Sequence, residues 1–224
     1  AAARDVKIRG MCNRYESPTV RETQVQWSIS NAADWPGGGV YPRALGYFIR
    51  AGQSAPEGVV GRWGLIPPFA TTANIPYSTN NARSEEVAQK PSYRDAWRRG
   101  QRCIIPANSF DEPCWETGKN VWWRFNRADG LAWGLAGLWH TWVDKRTGEV
   151  IDSYTMLTVN ADEHPIMGRM HKPDPKLPPN QQDKRSVIAI AEADVERWLY
   201  EHPKGVADLL NPPPVASIAG HALG

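Results

Sequence analysis

The sequence predicts an α+β fold: a single β-rich domain on a mixed or antiparallel sheet, open or closed into a barrel, with a few flanking helices. Three observations lead there. Short apolar runs of strand length outnumber helical stretches, and the helices do not alternate with the strands, which argues against a doubly wound parallel sheet. Nineteen glycines and nineteen prolines call for many turns. The 224 residues, 41% hydrophobic and 22% charged, suit one sizeable globular domain and exclude a wholly disordered chain.

The elements follow in order. Residues 1–10 mix alanine and charge without pattern and read as an extension or propeptide. Residues 32–58 are loop-like around Pro36-Gly37-Gly38-Gly39. Ser92 is a candidate cap for a helix over Tyr93–Arg99, stopped by Gly100. Strands are expected at Arg102–Ile105, ending at Pro106, and at the aromatic run Val121–Phe125. The stretch from Leu131 to Trp139 is small and apolar throughout, the pattern of a strand buried on both faces. Ser153–Val159 and Val187–Ile190 complete the set of strands. Residues 172–185 form a polar, proline-rich surface loop. Ala193–Tyr200 places Val195, Trp198 and Leu199 on one helical face. The domain is bounded at 11–210, and residues 211–224 read as a flexible tail.

Several classes fall away. No apolar run is long enough to span a membrane, and the opening decapeptide has no apolar core of a secretory signal. Three cysteines make no disulfide framework, which favours a reducing compartment such as a bacterial cytoplasm. A net charge of +2 neither demands nor forbids a nucleic-acid partner. The histidine and cysteine spacings match no metal motif, and no cofactor is called for.

Five segments carry candidate chemistry. In Met11-Cys12-Asn13-Arg14, cleavage after Met11 would give Cys12 a free α-amine beside its thiol. Such an aminothiol condenses with an aldehyde to an imine, which the thiolate closes to a thiazolidine. Arg62-Trp63-Gly64-Leu65-Ile66-Pro67-Pro68-Phe69 offers aromatics to stack on bases and an arginine for phosphate. Asn80-Asn81-Ala82-Arg83-Ser84-Glu85 could hold a sugar oxygen and a phosphate. Asp111 and Glu112 end a strand beside aromatic surface, where a carboxyl can act as acid or base. His164 and His171 are candidate proton shuttles. Taken singly, each also has a bland reading: a small core cysteine, a core tryptophan, a helix cap, an exposed turn acid.

Together and in order, these pieces resemble the SOS response-associated peptidase (SRAP) family. The matching segments are MCNRY, RWGLIPPFA, NNARSE, RRGQRCIIPANSFDE, LAGLW, TVNADEHPIMGRMH, DKRSVIAI and VERWL, spanning Met11 to Leu199. The resemblance implies a nucleophilic cysteine freed by removal of the preceding methionine. It also implies covalent capture of abasic sites in single-stranded DNA through a thiazolidine, in DNA repair. Carried over, Cys12, Asn81, Glu112 and His171 are the catalytic positions. Arg14, Trp63, Phe69 and Arg83 are the DNA-contacting ones. The implied partner is single-stranded DNA with abasic sites, bound by a monomer associated with the nucleoid if the source is bacterial.

The sequence also departs from that pattern. Asn13 stands where the family has glycine, so the local backbone is expected to differ. Asp111 replaces an aromatic and should raise the pKa of Glu112 by like-charge repulsion. The family's Arg-Met-Pro after the histidine corresponds to Arg185-Ser186-Val187, beyond an inserted loop, which leaves His164 as a rival to His171. While residues 1–11 remain, Cys12 has only an amide nitrogen. Two other classes stay open: a non-covalent single-strand DNA binder, and a thiol peptidase using Cys12 and His171 on other proteins.

Overall fold

A computed structural model describes residues 12–224; the expected extension and Met11 lie outside the described residues. The first half of the chain gives β1 (Tyr15–Ser17), α1 (Val20–Trp27), β2 (Asn31–Ala32), β3 (Gly38–Val40), β4 (Leu45–Arg50), β5 (Glu57–Trp63) and β6 (Asn81–Arg83). The middle gives α2 (Arg94–Arg98), β7 (Arg102–Ala107), β8 (Ser109–Cys114), β9 (Val121–Arg127), β10 (Trp133–Val143) and β11 (Val150–Asn160). The remainder gives β12 (Arg185–Val187), α3 (Val195–Tyr200) and β13 (Ile218–Ala222). No helix among the described residues is long and apolar enough to cross a membrane.

Strands β12, β11, β10, β7, β4, β5 and β2 lie side by side in that order. Parallel pairing of β11 with β5, Ser153 opposite Arg62 and Tyr154 opposite Trp63, closes five of them into a barrel. Closure removes the exposed edges that an open sheet would present. The smaller sheet runs β13-β9-β8-β1-β3. The fold class is therefore the expected one, β-rich with a closed barrel and few helices.

Alternation along the strands explains why the core has two parts. On β10, Trp133 and Leu135 pack with Phe110 and Phe125 of the second sheet. Ala136 and Leu138 point the other way, among Ala96 of α2 and Trp198 and Leu199 of α3. Strand β7 does the same, with Cys103 and Ile105 on one side and Ile104 on the other. A strand covered on both faces has no polar side to show, hence its unbroken apolar run.

Gly46 shows how tightly β1 is locked to the barrel. A Cβ there would lie 2.0 Å from the Tyr154 hydroxyl and 2.6 Å from that of Tyr15. Those two hydroxyls are hydrogen-bonded to each other in the core.

Several expectations change. Helix α1 falls where no helix was expected, although Thr19-Val20-Arg21-Glu22 forms a complete capping box. The loop assigned to 32–58 holds β3, β4 and the start of β5. Helix α2 covers only Arg94–Arg98 and has no side-chain cap, so Ser92 does not cap it. Strand β7 runs through Pro106, which pairs with Gly134. The tail is not loose: Ile218–Ala222 pairs antiparallel with Arg127–Trp123 of β9, so the sheet extends almost to the last residue.

Candidate active site

Four distant segments meet where the two sheets join. Cys12 lies three residues before the start of β1, whose Tyr15 pairs with Phe110 of β8. Glu112 is two residues further along β8. Asn81 opens β6, laid parallel on β11 with Asn81 opposite Met156. Strand β12 pairs with the same end of β11, Thr158 opposite Val187. A bridge between Cys114 and Met170 then brings His171 alongside β8.

Cys12 is 1% exposed. Its Sγ donates to the Arg14 carbonyl at 3.4 Å, and its own carbonyl accepts from Asn81 Nδ2 at 2.8 Å. Burial pushes the thiol pKa well up, and the nearby Glu112 charge pushes it further. The sulfur is therefore a protonated thiol at neutral pH and needs a base before it can attack.

Glu112 is fully enclosed, and its Oε2 has no hydrogen-bond partner. Burial, then the charge of Asp111, raises its pKa well above the carboxylate range. The environment favours its protonated form more than that of an ordinary carboxyl, which suits a proton donor. The like-charge effect expected of Asp111 is thus present but second to burial. Asp111 itself accepts two bonds from Arg124, at 2.8 and 2.9 Å, and one from Arg14 at 3.3 Å.

His171 lies 3.6 Å from Glu112, Nε2 to Oε2. Burial lowers its pKa to about 4, so the ring is neutral and the pair is not an ion pair at pH 7. Its Nε2–H donates to the Arg185 carbonyl at 3.0 Å. That fixes the tautomer and leaves Nδ1 as a buried acceptor without a partner. The backbone is in the left-handed region, φ 65°.

Asn81 Oδ1 is also buried and unpaired. One unpaired polar atom on each of Asn81, Glu112 and His171 is a concentration that stable cores avoid, and such strain gathers where a substrate is to be held.

The rival histidine belongs elsewhere. His164 Nε2 donates to the Pro213 carbonyl at 2.9 Å, and its Nδ1 accepts from the amides of Ile166 and Met167. It pins a loop to the C-terminal segment.

The expected DNA contacts divide. Trp63 is completely buried, edge-on to Tyr15 with ring centroids 5.1 Å apart, and its Nε1 donates to the Asn80 carbonyl at 2.8 Å. It cannot stack on a base from there; it is a prop beneath Asn80 and Asn81. Phe69 is exposed, in a loop tied down by Arg62 on the Ala73 carbonyl and Trp142 on the Ala70 carbonyl. Arg14 is paired with Glu16 and Asp111, and Arg83 with Asp183.

A family model described as SOS response associated peptidase (SRAP) matches residues 11–223, nearly the whole chain. The chain belongs to the SRAP family. Its relatives include the abasic site processing protein YobE of Bacillus subtilis, 33% identical over 126 residues, which are 55% of each protein. The abasic site processing protein HMCES of Xenopus tropicalis is 27% identical over 160 residues, 62% of this chain and 43% of that one. The matches thus span about half the length of these relatives. A crystal structure from Bordetella bronchiseptica is 34% identical, with a TM-score of 0.81 over 95% of this chain and all of that one. A second, from Bacteroides thetaiotaomicron, shares the fold at a TM-score of 0.76 with 21% identity.

Within this SRAP domain, sequence reasoning missed three supports of the site. Asn80 Nδ2 donates to Asn13 Oδ1 at 3.3 Å, so the asparagine in the family's glycine position has a partner. Asn13 is absent from the four described non-glycine residues with positive φ, and its backbone needs no glycine. Arg185 orients the His171 ring through its carbonyl and pairs with Glu85 at 2.7 Å. Lys184 reaches the carbonyls of Met170 and His171. Nothing in the sequence marked a lysine in a polar loop as an inward-pointing group.

Proposed function

We propose that this protein processes abasic sites, binding single-stranded DNA and capturing the opened sugar on Cys12 as a thiazolidine. The observation that carries the reading is the meeting of Cys12, Asn81, Glu112 and His171 in one buried spot, each with a polar group left unsatisfied or free to react. The names of the relatives point to the same substrate.

The reading requires the Met11–Cys12 peptide bond to be hydrolysed, so that Cys12 carries an α-amine. The amine then adds to the sugar aldehyde. The carbinolamine loses water to give an imine, with a proton for the departing hydroxyl supplied by the Glu112 carboxyl. The Cys12 thiol adds across the imine carbon, forming the C–S bond, and its proton ends on the nitrogen. Atoms balance with the loss of one water, and no oxidant or metal is consumed. The high thiol pKa fits this order, because the amine attacks first and the thiol needs a base only at the second step. The Glu112 carboxylate left by the first proton transfer, or His171 Nδ1, can take that proton. Asn81 steadies the Cys12 backbone by its bond to the carbonyl. Arg14 and Arg83 would hold flanking phosphates by exchanging the partly exposed carboxylates of Glu16 and Asp183 for phosphate, an exchange of small net cost, while Arg124 keeps the buried Asp111 paired. Phe69 would stack on a neighbouring base.

Protein beginning at Cys12, incubated with single-stranded DNA bearing one abasic site, is expected to give an adduct that survives denaturation without any reductant. Cys12→Ala gives none. Cys12→Ser keeps the amine and is expected to yield a stable adduct only when borohydride reduces the imine. An adduct undiminished in Cys12→Ala would overturn the proposal. Salt-reversible binding with no adduct at all would leave a non-covalent binder.

A further inference from the structure

Lys184 is a buried cation whose ammonium hydrogen-bonds to backbone and not to a carboxylate. It is 8% exposed, and burial, opposed by the charge of Asp162, lowers its pKa. Its ammonium donates to two consecutive backbone carbonyls, Met170 at 2.7 Å and His171 at 2.6 Å. Enclosing a charge this way is costly unless the bonds it makes are needed.

Those bonds fall on the most constrained backbone in the site. His171 has φ 65°, a left-handed conformation that is strained for a non-glycine residue. Its amide donates to the Pro113 carbonyl at 2.5 Å and its ring to the Arg185 carbonyl at 3.0 Å. Its own carbonyl and the preceding one are left for Lys184. The lysine is in turn fixed from behind: its amide donates to Asp162 Oδ1 at 2.8 Å, and its carbonyl accepts from Ala161 at 2.7 Å. The long loop 172–183 therefore returns the chain so that an ammonium closes the turn carrying the histidine.

We propose that Lys184 is the positioning residue of this site: it clamps the Met170–His171 turn and so holds the His171 ring against Glu112. The inference rests on the catalytic reading given above. The groups facing the ring are Glu112 from β8 and Lys184 and Arg185 from the chain entering β12. The two cations also oppose protonation of the ring.

The test uses the processed chain with Lys184 replaced by methionine, glutamine or arginine. Two independent readouts are taken. The first is the His171 ring titration by NMR, which does not depend on DNA. The second is the rate of adduct formation beside the affinity for undamaged single-stranded DNA. In Lys184→Met the ring pKa should rise, because the turn loosens and one of the two cations opposing protonation is gone, while burial still holds it low. The adduct should form about tenfold or more slowly while DNA affinity stays within about twofold, since the ammonium points at backbone and not at solvent. Lys184→Arg restores both donors and should recover most of the rate, with Lys184→Gln, one donor group, between the two. A folded Lys184→Met with the wild-type ring titration and wild-type rate overturns the proposal, as does a loss of DNA affinity equal to the loss of rate. If the parent chain forms no adduct, the functional reading fails, and the ring titration still decides the role of Lys184.

Discussion

At Glu112 stability and chemistry pull in opposite directions. Its pKa is raised in the folded chain, so folding holds a proton that the unfolded chain has released. Stability is therefore lost as pH climbs from about 4.5, the ordinary glutamate range, towards the folded pKa, with a slope approaching ~1.4 kcal/mol per pH unit for one proton. Glu112→Gln removes that loss. Thermal melts should show the variant gaining on the parent as pH rises above about 5, while its adduct forms at least ~100-fold more slowly. His171 has the opposite sign. Its folded pKa of about 4 lies below the unfolded value, so stability falls as pH drops from 6.5 towards 4. In His171→Asn that acid-side slope should flatten. Glu112 and His171 were legible as candidates because each sits in a recognisable motif. Trp63 was misread because a tryptophan beside arginine and proline looks the same in sequence whether it faces solvent or props an asparagine from inside.

At the scale of elements, legibility followed burial. β10 and β7 were visible because both faces are covered and their apolar runs are unbroken. β13 was invisible: Ile218-Ala219-Gly220-His221-Ala222 has no alternation, and its hold on β9 comes from backbone pairing and from Gly220 lying against Phe125. Helix α1 was missed for its polar composition, yet its capping box was written in the sequence at Thr19 and Glu22. Thr19→Ala should cost about 1 kcal/mol, a fall in Tm of roughly 2–4 °C for a chain of this size, with the adduct rate unchanged. Gly46→Ala should be far worse, since its Cβ collides with both hydroxyls of the Tyr15–Tyr154 pair. Equal melting temperatures for these two variants would contradict the account of how β1 is fastened.

For the whole molecule, the barrel and the second sheet create a place that neither provides alone. Cys12 and Glu112 arrive with the second sheet, Asn81 with a strand laid on the barrel, and His171 with the turn bridged to β8. No local pattern in the sequence encodes that meeting, because it depends on the closure of β11 on β5 and on how β6 and β12 share the end of β11. What the sequence could supply was the order of the motifs. The consequence is a candidate site that needs the intact domain. Truncation after Asn211 removes β13 and uncovers the edge of β9. It should lower Tm and promote association through the exposed edge, measurable by light scattering.

The central claim is that the α-amine and the thiol of one residue, Cys12, bond to the same sugar carbon. It is tested most directly by mass spectrometry of the adduct after trypsin, nuclease and iodoacetamide. The predicted product is the peptide Cys12-Asn13-Arg14 carrying the sugar, one water lighter than its parts, with no alkylation on the sulfur. A sugar found on any other residue, or a Cys12 sulfur that still takes up iodoacetamide in the adduct, would contradict it.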